Sequence, residues 1–286
     1  MTDRIAILKP WTWLHRVPGA LASDIAAVAR GFRRAWRILW ALSLIETRRK
    51  YAGSALGLLW YPTYSALLLG SYCFVYLVVF KVRFRDLGTY EYVLFVFAGM
   101  LPYLGFSEAV STSTVSVRQS LAILRNAVFP IEFVPVKFVF AALFGLFSSL
   151  SILFVMVLPT SHRGWHFFYL PFAVTELLVF SVAVAWALSA IAVLIPDVVY
   201  LVNIGLLVLM FISPIGYSVD MVPPAFRVAL YFNPMVYLVD AFRFSMIGMR
   251  SLPFWADPAF LIVSCLLASL SAAFFHRLSP IFADYE

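Results

Sequence analysis

Hydrophobic and polar positions divide this chain into long apolar runs separated by short polar breaks. Tyr51 to Phe80 carries no charge until Lys81 and predicts a first membrane span. Tyr92 to about Thr114 predicts a second, with Glu108 inside it, and Phe138 to Leu158 a third. Phe167 to Ile195, containing Glu176, predicts a fourth. Val198 to about Ile215 predicts a fifth, joined to it through Pro196 and Asp197, and Pro258 to Phe275 a sixth. Each run is near the roughly 20 apolar residues that a helix needs to cross a bilayer. The pattern implies an all-α integral membrane protein with six transmembrane helices. The tight turn between spans four and five makes these two antiparallel neighbours.

Two stretches depart from this rhythm. Before the first span, Ile25, Val28, Phe32, Trp36, Leu39, Trp40 and Ile45 recur at helical spacing, with Arg30, Arg33, Arg34 and Arg37 mostly opposite. That pattern predicts an N-terminal amphipathic helix over 21–50 that lies in the headgroup plane. Residues 1–20 read as a loosely ordered segment ahead of it, and 51–286 as the six-span domain. Between spans five and six, the stretch FISPIGYSVDMVPPAFRVALYFNPM (Phe211 to Met235) breaks the apolar pattern. Ser213 and Pro214 end the fifth span. Pro223 and Pro224 suit the first turn of a short helix, and Asn233 can cap a second with Pro234 in its first position. In that second helix Met235, Leu238, Val239, Phe242 and Met246 share an apolar face, away from Asp240 and Arg243. Neither helix is long enough to cross. They are expected as short re-entrant external helices over about 217–250.

Composition agrees. The chain is 63% hydrophobic and 12% charged, with mean hydropathy +0.94, whereas a soluble domain carries about 25% charged residues. The net charge of +7 fits cytoplasmic segments beside anionic lipid better than nucleic acid. Of the 21 Lys and Arg residues, Arg4, Lys9, Arg16, Arg30, Arg33, Arg34, Arg37, Arg48, Arg49 and Lys50 precede the first span. This asymmetry predicts a cytoplasmic N-terminus and, after six crossings, a cytoplasmic C-terminus. Lys81, Arg83 and Arg85 in the first external loop run mildly against it.

Catalytic chemistry is sparse. There is no G-x-x-x-x-G-K-[ST], so the chain has no P-loop of its own. Its histidines are scattered and its Cys, Asp and Glu show no metal-ligand spacing, so neither metal nor other cofactor is expected on this chain. Cys73 and Cys265 lie in apolar runs and read as packing residues. Glu108 and Glu176 lie within spans, where ionisable groups are costly. Ser111, Thr112 and Ser113 are expected to satisfy Glu108, and two isolated acids do not make a proton relay. Gly53 and Gly57 form a G-x-x-x-G that suits helix association. A membrane protein of this size with no energy site needs a partner if it does work.

Three stretches together resemble the transmembrane subunits of ABC exporters for O-antigen, capsule and teichoic-acid polysaccharides. The first is RKYAGSALGLLW, Arg49 to Trp60, at the entry to the first span. The second is AILRNAVFPIEFVP, Ala122 to Pro135, between spans two and three. The third is SPIGY, Ser213 to Tyr217, followed by Asn233 and Pro234. The similarity runs from about residue 40 to the C-terminus. Pro196 precedes Asp197 where such proteins often carry Arg, and Asn126 stands where a second basic residue is common.

The resemblance implies a homodimeric permease in the bacterial inner membrane, bound to two separate ATPase subunits that use ATP and Mg. The substrate it implies is a polysaccharide, lipid-linked, with no nucleic acid involved. Arg37, Arg118, Arg125, Phe129 and Pro130 are the candidates for coupling to the ATPase, the last two ending a short helical lever. Trp60, Tyr61, Tyr64, Phe97, Tyr103 and Phe106 are candidates for an aromatic channel, since sugar CH faces pack on such rings. Pro214, Tyr217, Asn233 and Pro234 are candidates for an external gate. Composition does not separate this from a permease for a drug or lipid. A membrane-embedded glycosyl- or acyltransferase would need clustered acids or an activated histidine.

Overall fold

The computed structural model describes residues 37–81, 87–124, 130–162 and 164–284, and the described residues are helical with no strand. Helix α1 covers 37–50. A 3₁₀ turn, Gly57–Leu59, leads into α2 (Trp60–Cys73), which ends in a π-helical segment, Phe74–Val79. Then come α3 (Thr89–Leu124), α4 (Phe133–Val157), α5 (Leu170–Leu194), α6 (Val198–Ile212), α7 (Pro224–Tyr231), α8 (Pro234–Ile247) and α9 (Ala256–Leu278). Five helical stretches are long and apolar enough to cross a bilayer: those at α2, α3, α4, α5 and α9. At the place of the expected fifth span, α6 is a shorter apolar helix. The protein is a multi-pass membrane protein.

Helix α3 is the axis of the bundle, packing on α2, α4, α5, α6 and α8. Helices α5 and α9 lie against each other, and both bury small residues, among them Ala173, Ala185, Ser189, Ala190, Ser264 and Ala272. Small side chains let helix backbones approach where no hydrophobic force drives association.

Several boundaries shift from the sequence-based expectation. Thirty-six residues of α3 extend about 54 Å, well beyond the roughly 30 Å hydrocarbon core. Arg118 therefore rides on a continuation of the second span, not on a separate short lever. Conversely, the fifteen residues of α6 reach only about 22 Å. Ser213 and Pro214 do stop it, as expected. Gly53 and Gly57 have φ of +80° and +51° and sit in the turn before α2, so they form no helical small-residue stripe.

Helix α1 also differs from expectation. Its inward stripe is Leu39, Ser43 and Thr47, while Arg37, Trp40 and Ile45 are exposed. The two hydroxyls can be buried because each donates to the carbonyl four residues back, at 2.8 Å. An ion pair, Lys137 to Glu46 at 2.7 Å, ties α1 to α4. Residues 1–36, with the first part of the expected amphipathic helix, lie outside the described residues, as do Arg125 and Phe129.

The two short helices form as the capping residues predict. Pro224 occupies the first turn of α7. The Asn233 side chain accepts from the Met235 amide at 2.9 Å, with Pro234 in the first turn of α8. Helix α8 ends at Gly248, φ +70°. It is not amphipathic in its setting, however: Asp240 and Arg243 are as buried as its apolar residues.

Candidate functional site: an aromatic cleft and a pinned turn

A cleft of about 610 Å³ opens between α2, α3, α4 and α6. Trp60, Tyr61, Tyr64 and Tyr103 line it, together with Lys50, Glu108 and Asn203. The side chains reach it for local reasons. Tyr61 presses against α4 at Gly145, where a Cβ would stand 2.6 Å from the ring. The Ser149 hydroxyl donates to that of Ser65 at 2.9 Å, which fastens α2 to α4 beside the cleft. Tyr103 donates its hydroxyl proton to the Leu206 carbonyl of α6 at 2.9 Å. Trp60 donates from its indole nitrogen to Ser54 at 2.7 Å, and Tyr64 is 59% exposed.

Glu108 is not satisfied by its own helix as expected. The Ser111 and Thr112 hydroxyls donate to backbone carbonyls. The carboxylate instead accepts from the Lys50 ammonium at 2.6 Å. Lys50 also lies 5.0 Å from the Tyr61 ring centroid. Burial works against the ammonium, but the Glu108 carboxylate and the Tyr51 hydroxyl together outweigh it, so the Lys50 pKa lies above the ordinary lysine value. The cleft thus offers ring faces, hydroxyls and one neutralised charge pair.

Phe97 and Phe106, the other two aromatic candidates, are core residues. Phe97 is fully buried, and Phe106 stacks on Phe180 at 5.3 Å between centroids. The sequence reasoning passed over Asn203, whose signal was a lone amide in an uncharged run, and over Lys50, which read only as part of a basic triplet.

Beyond the end of α6, the turn is buried from Ser213 to Gly216. Asn233 donates to the Ser213 hydroxyl at 3.2 Å, and Tyr217 donates to the Ile212 carbonyl. Pro214 is buried, while Tyr217 and Pro234 are half-buried. Further along, Arg250 donates to Asp257 at 2.8 Å and approaches Asp240 at 3.7 Å, over the Phe254 ring at 4.1 Å. Tyr169 donates to the same Asp257 oxygen at 2.5 Å. His166 is buried with Nδ1 3.1 Å from the Ser245 carbonyl. Glu176 is fully buried, and neither of its carboxylate oxygens has a hydrogen-bond partner among the described residues.

Where α3 ends and α4 begins, Arg118 and Pro130 are exposed. His276 of α9 sits 3.2 Å from Glu132, whose carbonyl accepts from the Trp186 indole at 2.8 Å. Among the described residues, no group of three His, Cys, Asp or Glu side chains could hold a metal ion. Cys73 and Cys265 are free, and Cys265 is exposed and not part of the core.

The chain is similar to the O-antigen export system permease protein RfbA of Myxococcus xanthus, 28% identical over 212 residues, which cover 72% of this chain and 78% of that one. Two proteins of the same name from Klebsiella pneumoniae are 22% identical over 203 residues (69% and 75% covered) and 21% identical over 243 residues (84% and 91% covered). Residues 52–247 match the model of the ABC-2 type transporter family. That match spans the buried turn and all of the cleft except Lys50 and Tyr51: the chain belongs to the ABC-2 type transporter family and is a transport subunit.

Proposed function

We propose that this chain is the permease subunit of an ATP-driven exporter that moves a lipid-linked polysaccharide such as O-antigen across the inner membrane. The observation that carries the reading is the cleft, in which Trp60, Tyr61, Tyr64 and Tyr103 stand beside Lys50, Glu108 and Asn203. Ring faces hold sugar CH surfaces, and hydroxyl and amide groups replace water at the sugar hydroxyls. Many weak contacts of this kind let a polymer slide. The names of the similar proteins point to the same substrate class.

Two copies form the channel in this reading. The cleft-facing helices α2 and α6 turn large apolar residues outward, among them Leu67, Phe74, Tyr200, Ile204 and Phe211, and a second copy covers part of that surface. Each copy carries a separate ATPase subunit that binds ATP and Mg, docked at the basic end, where the candidates are Arg37, Arg118, Arg125, Phe129 and Pro130. Both termini are cytoplasmic. Pro214, Tyr217, Asn233 and Pro234 border the exit.

Deleting the gene tests this directly. Surface polysaccharide is expected to be lost while lipid-linked polymer accumulates inside, and the purified protein is expected to carry an ATPase with a Walker motif. Normal surface polymer in the deletion strain overturns the substrate assignment.

A further inference from the structure

The turn that ends α6 raises a problem of hydrogen bonding. Helix α6 is too short to cross, so its last carbonyls and the Ser213–Tyr217 backbone lie at membrane depth. Non-helical backbone there is tolerated only where the protein itself satisfies it. Two side chains from other helices do so. Tyr92 of α3 donates to the Gly216 carbonyl at 2.9 Å. Arg243 of α8 donates from Nη2 to the Ile215 carbonyl at 2.7 Å and from Nε to the Phe95 carbonyl of α3 at 3.2 Å.

Arg243 is itself built in. It is only 4% exposed, and its guanidinium lies 3.5 Å from the centroid of the Phe95 ring. No carboxylate pairs with it among the described residues. Asp240, one turn back on α8, accepts instead from the Ser251 and Leu252 amides at 2.6 and 3.3 Å. The site exists because residue 99 is glycine: a Cβ there would stand 2.7 Å from Nη2. On the other side of the turn, Gly216 lies under Tyr76 of the π-helical segment, whose ring would meet a Cβ at 2.8 Å.

We propose that Arg243 and Tyr92 are positioning residues that pin the Ser213–Tyr217 turn to α3 and α8, and that this pinned turn is the seat on which Tyr76 closes the exit. The inference rests on the transport reading above. Helices α3 and α8 and the turn form one rigid body through the three donors. The π-helical segment Phe74–Val79, which carries Tyr76 and has no buried residue, is the part that moves across Gly216. A side chain that only filled space at 243 would not need a guanidinium donating both to a carbonyl of α3 and to one of the turn.

The native Cys73, three residues before Tyr76, reports on this seat. The experiment uses the full chain with its ATPase in right-side-out vesicles, in a Cys265→Ser background, treated with a membrane-impermeant methanethiosulfonate. Arg243→Lys is expected to raise the rate of Cys73 labelling about tenfold, the size of one lost charge-assisted hydrogen bond. Tyr92→Phe, which removes one hydroxyl and keeps the ring, is expected to raise it severalfold. Gly99→Ala, which pushes the guanidinium away without changing charge, is expected to act like Arg243→Lys. If the Arg243 variant does not fold, Tyr92→Phe decides. A fall in thermal stability with Cys73 labelling as in the parent overturns the proposal. Normal surface polysaccharide in the deletion strain overturns the transport reading instead, and leaves the labelling comparison to judge the pinned turn by itself.

Discussion

Helices α6 and α8 are nearly the same length and have opposite fates. The fifteen residues of α6 are uncharged and almost wholly apolar, and none is buried. The fourteen of α8 include Asp240 and Arg243, and all but Pro234 and Tyr237 are buried. In a water-soluble domain the order would be reversed. In a bilayer, an apolar helix is content against lipid or a second copy. A helix with charges must instead find donors and acceptors, which only the protein offers. Hydrophobicity along this chain therefore marks what can face outward, and embedded polar residues mark the centre.

Removing a buried charge near α8 is the most severe way to break that contrast. Arg250 holds Asp257 and lies beside Asp240, and its side chain is 9% exposed. Arg250→Ala leaves two buried carboxylates without their cation. The expected loss is about 3–5 kcal/mol, visible as failure to purify a folded complex or as a large drop in thermal stability in detergent. A polar residue of equal consequence on α6 would contradict the comparison.

On α6 the expected effect is on association rather than folding. Ile204→Glu and Phe211→Glu place a charge on its exposed stripe. The monomer should keep its thermal stability, while cross-linking of two copies falls severalfold. If both substitutions leave the cross-linked fraction unchanged, α6 faces lipid and the second copy sits elsewhere.

Smaller again is the expected effect in the cleft. Tyr64→Ala and Trp60→Ala remove exposed ring faces worth about 1 kcal/mol each in contact with a ligand. Export should slow about fivefold, with unfolding unchanged. Phe97→Ala offers the contrast: that ring is fully buried, so its loss should cost about 3–5 kcal/mol of stability.

How much of this was legible follows from the same physics. The crossings, the stop at Ser213 and Pro214 and the caps at Pro224 and Asn233 came from hydropathy and local backbone chemistry, which the sequence carries directly. The similarity of Arg49–Trp60 and Ser213–Tyr217 to polysaccharide permeases led to the right family. Phe97, Phe106 and Arg243 were misplaced because helical periodicity cannot say which neighbour a face meets. The Lys50–Glu108 pair joins residues 58 positions apart, and nothing local signals it. Gly99 and Gly216 gave no signal either, since their meaning lies in Arg243 and Tyr76 pressing on them from other helices.

Glu176 sharpens the comparison most gently. It lies on α5, is fully buried, and its carboxylate has no hydrogen-bond partner among the described residues, although Asp257 and Arg250 are near enough to act on it electrostatically. The ionisable side chains named around α8 each have a donor or acceptor, and this one has none among the described residues. If it serves only to fill its place on α5, its carboxyl contributes nothing specific. Glu176→Gln should then leave export unchanged and shift stability by no more than about 1 kcal/mol, the size of an ordinary point substitution. Glu176→Leu should be neutral or stabilising, as when other buried ionisable groups give way to well-packed apolar ones. Loss of export in Glu176→Gln with stability intact would instead make the carboxylate a working group. The rule drawn from α8, that buried charge here is structural and partnered, would then fail on α5.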